Sequence, residues 1–128
     1  MTLLLDTHTF IWLDAEPARL SPRAAVLLTD PANRIVLSVA SIWELVIKVQ
    51  LGKLTLRDSV DQIVAEQLNA NKVDLLDIKT THVFAIAALP TVHKDPFDRI
   101  LAAQAIVHGV PLVTADAVFA QYPVRVEW

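Results

Sequence analysis

The sequence predicts a three-layer α/β/α domain built on a central parallel sheet of four to five strands. Two observations predict it: short apolar runs are separated by segments of helical periodicity, and those runs are solidly apolar rather than alternating. Strands of that kind are covered on both faces, as in sheets sandwiched between helix layers. With 128 residues the chain suits one domain, taken as 1–128, and is too short for two of ordinary size.

Thr2 to Leu5 is the first strand, ending at Asp6 and Thr7, either of which suits the cap of the helix carrying Phe10, Ile11 and Leu13. Ser21-Pro22 pairs an N-cap with a proline at the first helical position, opening a helix that should stop near Asp30-Pro31. Arg34 to Ser38 is the second strand. A third helix is expected from about Ser41 to Gly52, a residue suited to the left-handed turn past a helix end. Ser59 to Gln62 resembles a capping box and opens a helix reaching about Asn71, after which Val73 to Ile78 is strand-like and Thr80 to Leu89 helical. Pro90 to Pro96 reads as a loop. Asp98 to His108 is a helix apolar nearly all round, hence buried, and Gly109 closes it; Val110 to Thr114 is the fourth strand and Val124 to Val126 a fifth.

Composition removes several classes of function. Hydrophobic residues make up 54% of the chain, yet the most apolar stretch, Ile35 to Val49, is interrupted by Glu44 and Lys48, so no membrane span is predicted and a cytoplasmic location is expected. The absence of cysteine excludes disulfides and thiolate chemistry. A net charge of -3 argues against a broad basic surface for nucleic acid, but a bridging cation can still hold a phosphodiester in an acidic site.

In a parallel sheet, sites form beyond the carboxyl ends of the strands. Asp6 follows the first strand, Glu44 lies a turn or so into the next helix after the second, Asp98 opens the buried helix, and Asp116 follows the fourth strand. Taken singly, Asp6, Asp98 and Asp116 read as helix caps, and Ser41-Ile42-Trp43-Glu44 as a capping box. Taken together, a metal site is the better account, because capping does not explain why the apolar surroundings of Asp6 and Glu44 hold so little else that is polar. Gathered carboxylates repel unless a proton or cation compensates, and the hard ions Mg²⁺ and Mn²⁺ prefer such oxygens.

Leu3-Leu4-Leu5-Asp6-Thr7-His8, Ser41-Ile42-Trp43-Glu44, His93-Lys94-Asp95-Pro96-Phe97-Asp98-Arg99, and Thr114-Ala115-Asp116 with Phe119 together resemble the PIN domain, in particular the VapC toxins of bacterial type II toxin-antitoxin pairs. The likeness spans essentially the whole chain. It implies a PIN-like fold, a Mg²⁺- or Mn²⁺-dependent endoribonuclease acting on RNA, usually a homodimer, and inhibition by a VapB-like antitoxin laid in a groove near the active site. It places Asp6, Glu44, Asp98 and Asp116 at the family's acidic quartet. Asp95 competes for the third place; Asp98 is preferred because Pro96 forces Asp95 into an extended loop.

Supporting roles fall to Thr7 and to Thr114, which either bonds Asp116 or a metal water or simply caps. Arg99 steers phosphate or pairs with a carboxylate, and Lys94 shares that ambiguity. His8 and His93 are read as surface histidines near the acids, and Phe10, Trp12 and Trp43 as core or partner-groove residues. Phosphatases with an aspartyl nucleophile need a second acid at position 8, which is histidine, and two glycines are too few for a phosphate-cradling loop. The alternative to an enzyme is a catalytically silent interaction module of the same fold.

Overall fold

Alternation along β1 (Thr2–Leu5) divides the interior into two cores, in a computed structural model that describes residues 1–128. Leu3 and Leu5 face one helix layer and Leu4 the other, as successive strand residues must. The same holds in β2 (Arg34–Ser38), where Ile35 and Leu37 join the first core and Val36 the second. The solidly apolar runs are thus two half-faces superimposed, each fully buried leucine contributing about 1.5–3 kcal/mol.

Three further strands, β3 (Asp74–Leu76), β4 (Leu112–Val113) and β5 (Val126–Glu127), complete one sheet of order β3-β2-β1-β4-β5, parallel throughout. One face is covered by α1 (Thr7–Ala15), α2 (Pro22–Thr29), α3 (Val39–Gln50) and α4 (Val60–Ala70). The other is covered by α5 (Thr80–Ala85), α6 (Pro96–His108) and a 3-10 turn over Ala117–Gln121. From β1 the chain steps to β2 on one side, and later places β4 on the other. The order therefore reverses between β1 and β4, and their carboxyl ends open a crevice.

Two helix starts differ from expectation. Helix α3 begins at Val39, because Ser38 closes β2 and caps the helix at once, its hydroxyl accepting from the Ala40 N–H at 3.0 Å. Ser41 and Glu44 are therefore interior helix positions, and the capping box expected there does not form. Helix α6 begins at Pro96 rather than Asp98: Asp95 is its cap and Pro96 its first residue, the arrangement proline's fixed φ favours. Asp98 consequently stands in the first turn and caps nothing.

The outer strands are shorter than the apolar runs suggested, and β5 lies later than Val124 to Val126, at Val126–Glu127. Buried Glu127 is held there by Arg23 at 2.7 Å and Arg125 at 2.7 Å. Thr80 to Leu89 divides into α5 and a 3-10 turn over Ile86–Ala88. Gly109 ends α6 at φ 63°, a conformation glycine adopts without strain. No helix is long and apolar enough to cross a membrane.

Candidate active site at the fork of β1 and β4

Asp6 sits where β1 stops. Its main-chain N–H donates to the Val113 carbonyl at 3.1 Å, tying it to β4. The side chain caps α1, Oδ1 accepting from the Thr7 N–H at 2.7 Å, while Oδ2 accepts from the Thr114 hydroxyl at 2.8 Å. Thr114 also accepts from the Asp116 N–H at 3.0 Å, so one hydroxyl fixes the spacing of two acids. Burial raises the pKa of Asp6; Thr114, Thr7 and the charge of His8 oppose the rise, and Glu44 adds to it.

Glu44 reaches the fork from α3 and is buried. Oε1 accepts from the Thr7 hydroxyl at 2.7 Å, the same hydroxyl lying 3.0 Å from Ser41 Oγ, and Oε2 meets Lys48 Nζ at 2.6 Å. Placing Ser41 inside the helix is what turns it toward Thr7. The surroundings of Asp6 and Glu44 are thus less apolar than the sequence suggested: Thr7, Ser41, Lys48 and Thr114 all reach the two acids or their bonding partners.

Asp98 projects from the first turn of α6. Burial and the adjacent Asp95 raise its pKa to about 7, His93 opposes the rise, and Asp6 and Glu44 add to it. Three acids from three elements therefore feel one another's charge. Asp95 spends Oδ1 on the N–H groups of Phe97 at 2.9 Å and Asp98 at 3.2 Å, in the extended conformation expected before proline. Asp116 is more exposed and caps the following 3-10 turn through the Val118 N–H at 3.0 Å, sharing a shallow depression with Asp6, His8, Trp12 and Ala115. Capping accordingly describes Asp6 and Asp116 but not Asp98.

No three carboxylate or imidazole side chains stand close enough to grip one ion as they are now turned. Each acid is instead engaged with a protein group: Asp6 with Thr114, Glu44 with Lys48, Asp98 with His93. By chemistry Asp6, Glu44 and Asp98 nonetheless fit a hard divalent cation, being oxygen donors only, half to fully buried, and mutually repelling when ionised.

Tyr122 escaped notice in the sequence, where 29 residues separate it from His93. His93 is not a surface residue. Its Nε2 lies 3.2 Å from Asp98 Oδ2, and its Nδ1 is hydrogen-bonded to the hydroxyl of buried Tyr122. With Asp98 ionised the ring donates from Nε2, leaving Nδ1 to accept from tyrosine. Arg99 neither pairs with a carboxylate nor faces the crevice: it donates to the Pro90 carbonyl at 2.9 Å and to Tyr122 Oη at 3.3 Å, bracing the loop that carries His93. His8 is exposed, as expected. Phe10 is core and Trp12 packs on Trp128 at 5.8 Å, whereas Trp43 is 58% exposed against the edge of Phe97.

Comparison with known proteins identifies the family and the fold. The family model for the PIN domain matches residues 3–124. Ribonuclease VapC22 of Mycobacterium tuberculosis is 33% identical over 116 residues, covering 90% of this chain and 87% of that protein. Among solved structures, VapBC2 from Rickettsia felis bound to a promoter DNA fragment superposes with a TM-score of 0.75 at 18% identity, covering 99% of this chain and 98% of that one. DNA-bound VapBC from Salmonella typhimurium gives 0.69 at 19% identity, covering 99% and 97%. At such identities the structural likeness speaks for the fold.

Proposed function

Since this chain belongs to the PIN-domain family, we propose that it is a VapC-type endoribonuclease whose active centre is the fork holding Asp6, Glu44, Asp98 and Asp116. The observation that carries the assignment is the convergence of Asp6, Glu44 and Asp98, from β1, α3 and α6, at the point where strand order reverses. Asp6 and Asp98 would hold a divalent cation most directly, with Glu44 and Asp116 completing its shell or holding its waters. When bound, Mg²⁺ or Mn²⁺ supplies the positive charge that acidifies a water and steadies the phosphoryl oxygens in hydrolysis.

The remaining parts are supplied by the chain. Thr114 and Thr7 fix the two buried carboxylates from opposite sides, so their oxygens need little reorganisation. His93, held by Tyr122, aims Asp98. In the metal-free protein Asp98 holds its proton up to about pH 7, which relieves the crowding of charge below that pH. An acidic fork repels the phosphate backbone until a cation is present, so RNA and metal are expected to bind cooperatively.

The Tyr122→Phe variant removes one oxygen and frees the His93 ring. It is expected to lower cleavage about tenfold, the usual cost of losing an outer partner of a ligand, while the far-UV spectrum and the melting temperature stay near wild type. Unchanged cleavage would exclude the positioning role.

Partners follow from the same family reading: a VapB-like antitoxin and a second copy of this chain. Phe84 at 72% exposure on α5 and Trp43 on α3 are large apolar side chains turned to solvent, places where a partner can cover apolar surface. A groove of about 420 Å³ between α3 and α4, lined by Ile42, Val46, Val60, Val64 and Leu68, supports the antitoxin.

Incubating purified protein with total cellular RNA tests the activity. Endonucleolytic cuts are expected with Mg²⁺ or Mn²⁺, and none with EDTA. Saturating Mn²⁺ should also raise the melting temperature, by about 2.7 kcal/mol of stabilisation at a hundredfold excess over Kd. A protein that binds its partner tightly yet leaves RNA intact would be the silent interaction module instead.

A further inference from the structure

Three carboxylates whose side chains are almost fully covered lie within hydrogen-bonding reach of arginine or lysine, and they are met differently. Asp14 is gripped by Arg57 through two donors at 2.9 and 2.8 Å, and Glu127 by Arg23 and Arg125. Both lie outside the fork. Glu44, inside it, is met by a lysine, with Nζ 2.6 Å from Oε2, at i,i+4 spacing on α3. Arginine is a rigid fork that fixes a carboxylate, whereas lysine is a point charge on a flexible stem that can be withdrawn without breaking a paired geometry.

Lys48 is also placed to act on more than Glu44. The charges of Asp95 and Asp98 both reach its ammonium, and the side chain is about one-third exposed, leaving room to swing outward. Arg99 is committed to the Pro90 carbonyl and Tyr122. Lys48 is therefore the ammonium that sits among the acids.

We propose that Lys48 is a displaceable counter-charge of the acidic fork: its ammonium neutralises Glu44 while no divalent cation is bound, leaves Glu44 when one binds, and is thereby freed to meet the phosphodiester. The inference rests on the metal-site reading above. Its consequence is opposite for the two ligands. Removing the ammonium strengthens the fork's hold on a cation, because a competitor is lost, and weakens its hold on RNA, because a positive guide is lost.

Isothermal titration of Mn²⁺ into wild type, Lys48→Met and Lys48→Arg at pH 8 decides the matter, with KM for RNA measured alongside. Lys48→Met is expected to bind Mn²⁺ about tenfold more tightly, a change of about 1.4 kcal/mol, to melt lower in EDTA, and to show a raised KM. Lys48→Arg keeps the charge and grips the carboxylate with two donors, so it should bind Mn²⁺ several-fold more weakly; it carries the test if the methionine variant does not fold. Wild-type Mn²⁺ affinity in both variants would overturn the inference while leaving the site standing, provided Asp6→Asn loses the ion. Absence of Mn²⁺ binding in wild type itself would overturn both.

Discussion

Replacing Asp6 by asparagine is expected to lower RNA cleavage by about 10³-fold while leaving the protein folded. The substitution is close to isosteric, and every partner of Asp6 can be kept. The asparagine carbonyl still accepts from the Thr7 N–H, since asparagine is as good an N-cap as aspartate. Its amide then faces Thr114, whose hydroxyl can turn and accept a hydrogen bond where it now donates one. What disappears is one negative charge at the junction of β1 and β4. Because burial already disfavours that charge, its loss should raise rather than lower the melting temperature in EDTA. Single-turnover cleavage of a mapped RNA, with near-UV circular dichroism as the control for folding, checks both halves. Full activity in a homogeneous preparation would remove Asp6 from the active centre, and lost activity with lost tertiary signal would show that its cap and strand tie matter more than its charge.

The layering was legible in the sequence because it depends on local pattern. Leu3, Leu4 and Leu5 had to be covered on both faces, and Ser21-Pro22 and Gly109 marked helix limits through backbone geometry alone. The nearness of Asp6, Glu44 and Asp98 was legible for a related reason: strand ends in a parallel sheet share one edge, so position along the chain stands in for position in space. Errors arose where one residue serves two elements or two residues compete for one role. Ser38 pairs with Leu76 in the sheet and also caps α3, which moved the helix start to Val39, two residues upstream of Ser41. Asp95 took the cap of α6, the role expected of Asp98 taken singly, and left Asp98 free to face the other acids.

Side-chain pairs across the fold were not legible at all. Nothing in local spacing links His93 to Tyr122 or turns Arg99 away from the acids toward loop carbonyls. Lys48 is the exception. Its i,i+4 relation to Glu44 is visible in the sequence, and that spacing is the one at which helix side chains meet.

Asp98→Asn is expected to stabilise the metal-free protein in a pH-dependent way. The folded-state pKa of about 7 stands above the ordinary aspartate value of 3.8, so between these limits the folded protein holds a proton that the unfolded chain has released. The stabilisation from that proton is full below pH 3.8, declines as pH rises through the window, and is gone above about pH 7. Wild type should therefore lose about 2–3 kcal/mol between pH 5 and pH 8 through this group, roughly 10 °C of melting temperature for a chain of this size. Asparagine cannot titrate, and its carbonyl still accepts from His93, so the variant should not share the loss. Comparing the two proteins at each pH matters because buried His82 works in the opposite sense. Its pKa is lowered by burial, by His108 and by Lys79, so it weakens the fold as pH falls, equally in both proteins. The difference in melting temperature between variant and wild type should accordingly grow from pH 5 to pH 8 in EDTA. Saturating Mg²⁺ should shrink it, since the cation compensates the ionised carboxylate in wild type and finds one ligand fewer in the variant. A difference that stays constant across pH would mean that Asp98 ionises without strain, and the crowding of charge that points to a cation would be absent at the one residue where it is greatest.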